Sequence, residues 1–187
     1  MSETAKRQAT YEDLHGVPEH ATGQILDGEL VVTPRPSRRH VFAASALEIE
    51  VGSAFQFGRG GPGGWVILVE PEVRMGDDIV VPDLAGWRRE RFPVSEDSHS
   101  ISAVPDWCCE VLSPNTVRSD RIRKMSLYGR HGVRHVWLVD PVGKTLEVFG
   151  LHESGSWVTL GLHAEDERVR AAPFQEVESC LTRLWLD

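Results

Sequence analysis

Three cysteines are the only thiols in 187 residues, and their placement excludes the common uses of cysteine. There is no Cys-x-x-Cys pair and no spacing that would hold zinc. Cys108 and Cys109 are adjacent within an apolar run, which marks them as buried thiols and fits a reducing cytoplasm as the expected location. No apolar run approaches the roughly 20 residues of a membrane span. The stretch Met1 to Arg7 is polar and lacks the apolar core of a signal peptide. Positive charge is also scarce. A net charge of −8 excludes a general nucleic-acid binder, because phosphate contacts need Lys and Arg. The glycine-rich stretch from Gly58 to Gly64 is not a phosphate-binding loop: no strand precedes it and no Lys-Ser/Thr pair ends it. Repeats, linkers and low-complexity segments are absent as well.

What is present is ordinary for a globular chain, with 41% hydrophobic and 26% charged residues. The length suits a single domain over 10–187 behind a frayed tail at 1–9. The basic residues that exist are clustered. Arg35, Arg38 and Arg39 form one group; Arg118, Arg121, Arg123 and Lys124 form another. Either cluster alone reads as solvated surface. Arg38, Arg39, Arg118 and Arg121 are nonetheless the candidate nucleic-acid contacts, and the second cluster gains weight from its neighbours described below.

In chain order, Thr10 with Asp13 three residues on predicts a short capped helix ended by Pro18. Residues 24–26 and 29–32 predict a hairpin, since Asp27-Gly28 supplies the positive φ angles of a type I′ turn. Pro34 and Pro36 break the strand, and Ser37 caps a helix to about Phe57. Val41, Ala44, Leu47, Val51 and Ala54 give that helix its apolar stripe. Residues 65–70 and 72–75 predict one bent strand or a pair, and 79–84 the next strand. Residues 88–104 read as a surface loop. Trp107 to Leu112 is the central-strand candidate. Ser119 or Asp120 then caps a helix to about His131, with Gly132 just past its end. Runs from Val133, Thr145 and Trp157 predict an antiparallel meander in the C-terminal half. Val169 begins an edge strand, and 176–186 a closing helix.

The chemistry concentrates in 82–128. Asp83 follows Ile79-Val80-Val81-Pro82, and Glu110 stands inside Trp107 to Leu112. An ionised carboxylate is costly to bury without a cation. Two strand-borne acids with a lysine nearby suggest a divalent-metal site for phosphodiester hydrolysis, where a metal polarises the phosphate and acidifies a bound water. Mg²⁺ prefers oxygen ligands and keeps several waters. Asp83 and Glu110 could supply carboxylates, and the Val111 carbonyl a further ligand. Each residue also has a plainer reading. Asp83 can simply end a strand, Glu110 can pair with an arginine, and Lys124 lies four residues after Asp120 for a surface ion pair.

Several of these segments together resemble a known family. They are Val80-Val81-Pro82-Asp83-Leu84, the run Pro105 to Thr116, Asp120 to Lys124 with Tyr128, Gly132-Val133, and Val136 to Pro141. Leu26 to Val31 and His40 fit as well. The chain thus resembles the Uma2 (DUF820) family of restriction endonuclease-like proteins from about residue 10 onward. The resemblance implies an α/β (α+β) PD-(D/E)XK nuclease fold, a mixed β-sheet flanked by helices. It implies a metal-dependent DNA endonuclease using Mg²⁺ or Mn²⁺, with Asp83 and Glu110 as the motif acids. Two residues after Glu110, where lysine is usual, stands Leu112; Lys124 on the following helix is the proposed replacement. Glu29, Glu72 and His40 are second-tier candidates, the acids for a metal-bound water and the histidine for a phosphate. A homodimer is expected by analogy with nucleases that cut both strands. The alternative is a catalytically inactive nuclease-fold binding or assembly module, which the missing lysine and acidic charge favour. A two-carboxylate glycosidase is weaker, because the tryptophans sit mostly in strand runs rather than in a sugar-stacking cleft.

Overall fold

The computed structural model describes residues 7–94 and 98–186. Residues 1–6 of the expected tail and 95–97 of the expected loop lie outside the described residues. The described chain opens with helical turn α1 (Tyr11–Leu14), where Thr10 and Asp13 form a capping box. Strands β1 (Ala21–Leu26) and β2 (Glu29–Pro34) form the hairpin, with Asp27 and Gly28 at φ 51° and 73°. Helix α2 (Arg38–Val51) starts at Ser37, whose Oγ accepts the His40 N–H, and ends through a widened turn at Gly52–Gln56. Its buried face is His40, Ala43, Ala44, Leu47 and Val51, whereas Val41 is exposed. The expected stripe was therefore right from Ala44 onward and misplaced at its start. The polar His40 takes the inward position because Asp83 meets it there.

Next come β3 (Trp65–Val69), β4 (Val73–Met75), β5 (Asp78–Val80) and β6 (Leu84–Arg88). The strand expected over 79–84 is thus two strands in two sheets. Pro82 has no N–H to give a ladder, and the chain crosses between sheets at 81–83. Strand β7 (Trp107–Val111) is fully buried. Ser113 takes the capping position, its Oγ accepting the Thr116 N–H, so the following helix begins before Ser119. A widened turn at Ser119–Lys124 leads into α3 (Met125–His131), and Gly132 ends it at φ 82°. Asp120 therefore lies inside the helical segment and does not cap it.

Strands β8 (His135–Asp140), β9 (Thr145–Leu151) and β10 (Trp157–Ala164) form the meander, with a bulge between Thr159 and Gly161. The closing helix expected over 176–186 is not formed. β11 (Arg168–Val169) pairs with β12 (Ser179–Cys180), and only a turn at Leu181–Leu184 follows. Pairing with β11 commits 179–180 to an extended conformation, and Leu181, Leu184 and Trp185 are buried without a full helix.

The main sheet runs β10-β9-β8-β7-β6-β3, and a smaller one runs β2-β1-β5-β4. Only β7 and β8 are parallel in the main sheet, joined by the crossover that contains α3. Alternate residues of β7 serve two cores. Trp107, Cys109 and Val111 pack with α2 residues; Cys108 and Leu112 pack with Met125, Leu127 and Tyr128 of α3. The mixed sheet is flanked by helices on both faces, and Glu110 sits in the middle of the α3 side.

Candidate active site

The site forms where β6 begins, β7 ends and the widened turn before α3 passes. The β6–β7 register pairs Leu84 with Cys109, so one further step sets Asp83 opposite Glu110. The Val111 N–H donates to Asp83 Oδ2 at 2.6 Å, and His40 Nε2 lies 3.2 Å from the same oxygen. The contribution of Val111 seen here is its N–H, which fixes Asp83. Burial disfavours the His40 imidazolium, but the bond to Asp83 and the charges of Asp83, Glu70 and Asp120 leave its pKa raised.

Glu110 is 1% exposed. Lys124 Nζ donates to Glu110 Oε2 at 2.8 Å, and the Tyr128 hydroxyl donates to Oε1. Both carboxylate oxygens are therefore engaged inside the protein. Lys124 Nζ also donates to the Val81 carbonyl at 3.2 Å and lies 3.6 Å from Asp120 Oδ1. The widened turn at 119–124 makes this possible: it brings Asp120 and Lys124 inward together, both buried. Burial pushes Glu110 up to about 8 against the pull of Lys124. Burial also works against the Lys124 ammonium, but Glu110, Asp120 and Asp83 outweigh it and hold the pKa above the ordinary lysine value. Asp120 is raised by burial, with Lys124 opposing. These acids thus favour the charged form of Lys124.

A cavity of about 240 Å³ opens on this cluster. Asp83, Asp120, Lys124, His40 and Glu70 line it; Glu110 does not, being shielded by Lys124 and Tyr128. The predicted trio of Asp83, Glu110 and Lys124 is brought together, with His40 beside it. The other candidates lie elsewhere. Glu29 pairs with Arg123 at 3.0 Å, and Glu72 accepts from Tyr11 at 2.7 Å. Arg38, Arg39 and Arg118 are exposed, and Arg121 pairs with Glu147. Two residues escaped the sequence reading. Asp120 looked like a surface partner of Lys124 at i, i+4, and a polar i, i+4 pair carries no sign of burial. Glu70 sits at φ 47°, a backbone strain with no sequence signature.

No three His, Cys, Asp or Glu side chains converge on one point among the described residues. The donor set nevertheless fits a hard cation. Lys124 already pairs with Glu110 and Asp120, but Asp83 and Glu70 present carboxylates to the cavity, and Mg²⁺ tolerates a shell largely of water. Of Asp83 and Glu110, Asp83 is the acid that reaches the cavity, at 18% side-chain exposure.

A mixed sheet between helices, with an acid opening one strand and another on its neighbour, defines a protein of the restriction-endonuclease-like nuclease fold. The chain belongs to the Uma2 family, whose model, described as "Putative restriction endonuclease", matches residues 9–183. Its fold is similar to that of a protein from Anabaena variabilis ATCC 29413 described as "a putative nuclease belonging to DUF820". The two share 21% identity at a TM-score of 0.75, over 94% of this chain and 97% of that one. No protein of curated function matches.

Proposed function

We propose that this nuclease-family chain is a metal-dependent endonuclease that hydrolyses DNA phosphodiester bonds, with Mg²⁺ or Mn²⁺ as the cation. The observation that carries the reading is the return of Lys124 from its helical turn to the acid of β7, 2.8 Å from Glu110 and on the wall of the cavity that Asp83 also lines. A bound divalent cation would supply a polarised phosphoryl oxygen and a water acidified toward hydroxide. Asp83 would hold it from the cavity wall, braced by the Val111 N–H and His40. Lys124, held protonated by its acids, would stabilise negative charge developing on the phosphate. Glu110 and Tyr128 would fix the amine in place. Exposed Arg38, Arg39 and Arg118 offer contacts for the DNA backbone. Cutting both strands of a duplex needs two such sites, which a homodimer would provide.

The test is nicking of supercoiled plasmid with Mg²⁺, Mn²⁺ or chelator. Cleavage that needs the metal and is lost in Asp83→Ala supports the reading. A folded protein that neither cleaves nor binds metal is instead a nuclease-fold assembly module, the reading that Leu112 at the usual lysine position favours.

A further inference from the structure

The β3–β6 register pairs Val69 with Leu84, and one further step sets Glu70 opposite Asp83; the Glu70 N–H donates to the Asp83 carbonyl at 2.9 Å. Glu110 stands opposite Asp83 on the other side by the same continuation. Three acids therefore stand side by side along the backbone, Glu70 just past the end of β3, Asp83 just before β6 and Glu110 within β7, with neighbouring strands about 4.8 Å apart. The two ends of the row differ. At the Glu110 end, Lys124 and Tyr128 occupy both carboxylate oxygens. At the other end, Glu70 is exposed, and its side chain makes no hydrogen bond or ion pair among the described residues. Glu70 and Asp83 line the same two cavities, of about 240 and 400 Å³, together with His40. The His40 side chain is 9% exposed, forms part of that shared wall, and its Nδ1 has no partner among the described residues. Lys124 thus holds one end of the row and His40 meets Asp83 at its middle, while the Glu70 carboxylate has no hydrogen-bond partner among the described residues.

We propose that Glu70 and Asp83 are the carboxylate pair that takes the divalent cation, while Glu110 is a positioning residue that holds Lys124. This rests on the metal-dependent reading above and departs from the pairing of Asp83 with Glu110 that the family resemblance implies. A cation between Glu70 and Asp83 would meet one oxygen donor from each of two adjacent strands and draw the rest of its shell from water. It would stand across the row from Lys124, so the two positive charges would not compete for one carboxylate.

Mn²⁺ titration by calorimetry tests the assignment on the intact chain, with thermal unfolding to confirm the fold of each variant. Glu70→Gln and Asp83→Asn are each expected to weaken Mn²⁺ binding by about tenfold or more. Glu110→Gln is expected to leave the affinity close to that of wild type, because Lys124 and Tyr128 rather than the cation hold its oxygens. Glu70→Gln binding like wild type while Asp83→Asn does not would overturn the Glu70 assignment and leave the nuclease reading standing. A folded Glu110→Gln that loses Mn²⁺ would return the second ligand to Glu110. Wild type that takes up no Mn²⁺ at millimolar concentration would overturn both. Should Glu110→Gln fail to fold, the Glu70 and Asp83 variants still decide the matter.

Discussion

Leu112 occupies the place where nucleases of this fold carry a lysine, and at 4% exposure it packs among α3 residues such as Met125 and Leu127. On the proposed reading the charge it cannot supply comes from Lys124, whose side chain is 6% exposed beside Glu110. Lys124→Met should abolish metal-dependent nicking. It should also destabilise the fold by about 3 kcal/mol, because Glu110 loses its partner while buried. The variant's Glu110 then titrates well above its unfolded value, so the folded state holds a proton that the unfolded chain releases. Wild-type Glu110 already holds its proton up to about 8, so the stability gap to wild type should widen as pH rises from about 7 to about 9. Denaturant unfolding at both ends of that range checks the sign; a gap that narrows would contradict it. Tyr128→Phe keeps the ring and removes only the donor to Glu110. A loss of about 1 to 2 kcal/mol is expected, with the fold unchanged by circular dichroism.

Elements here are defined as much by how they end as by what they bury. Gly132 adopts φ 82° at the end of α3, and an added Cβ would meet nothing within 4 Å. Gly132→Ala therefore isolates backbone strain, and urea unfolding should show a loss of about 1 kcal/mol. At α1 the Asp13 carboxylate accepts from the Thr10 N–H at 2.7 Å and from Arg7 at 2.6 Å. The backbone bond and then Arg7 lower its pKa to about 2. A depressed carboxylate stabilises above its unfolded value and ceases to do so as pH falls through the folded one. NMR titration of the Asp13 carboxyl should place the midpoint near 2, with α1 fraying below it. A midpoint at the ordinary carboxylate value would mean that the capping box is not formed in solution.

For the molecule as a whole, a cation that binds only the folded state must raise its stability by mass action. At 100 times the dissociation constant the gain is about 2.7 kcal/mol, and at about 2 to 4 °C per kcal/mol the melting temperature should rise by several degrees. Mn²⁺ should produce that rise in wild type, chelator should reverse it, and Asp83→Asn should lack it. The same shift in wild type and Asp83→Asn would place the cation elsewhere.

Alternation and punctuation made much of this architecture legible. Asp27-Gly28 set the hairpin, Ser37 the start of α2, Gly132 the end of α3, and the β-rich runs of 133–162 the meander, because each is a local backbone preference that tertiary packing did not override. Asp83, Glu110 and Lys124 could be singled out because acids at the edge of or inside apolar runs are expensive and therefore conspicuous. Other features depended on contacts between segments distant in sequence. Pairing with β11 drew 179–180 into a strand in place of a helix, and Pro82 split one apolar run between two sheets. The widened turn sent Asp120 inward, and the register of β3 on β6 brought Glu70 beside Asp83. Local sequence chose the conformations and the charges; cross-strand register chose which charges share a cavity, and register is a property of the assembled sheet that no single segment encodes.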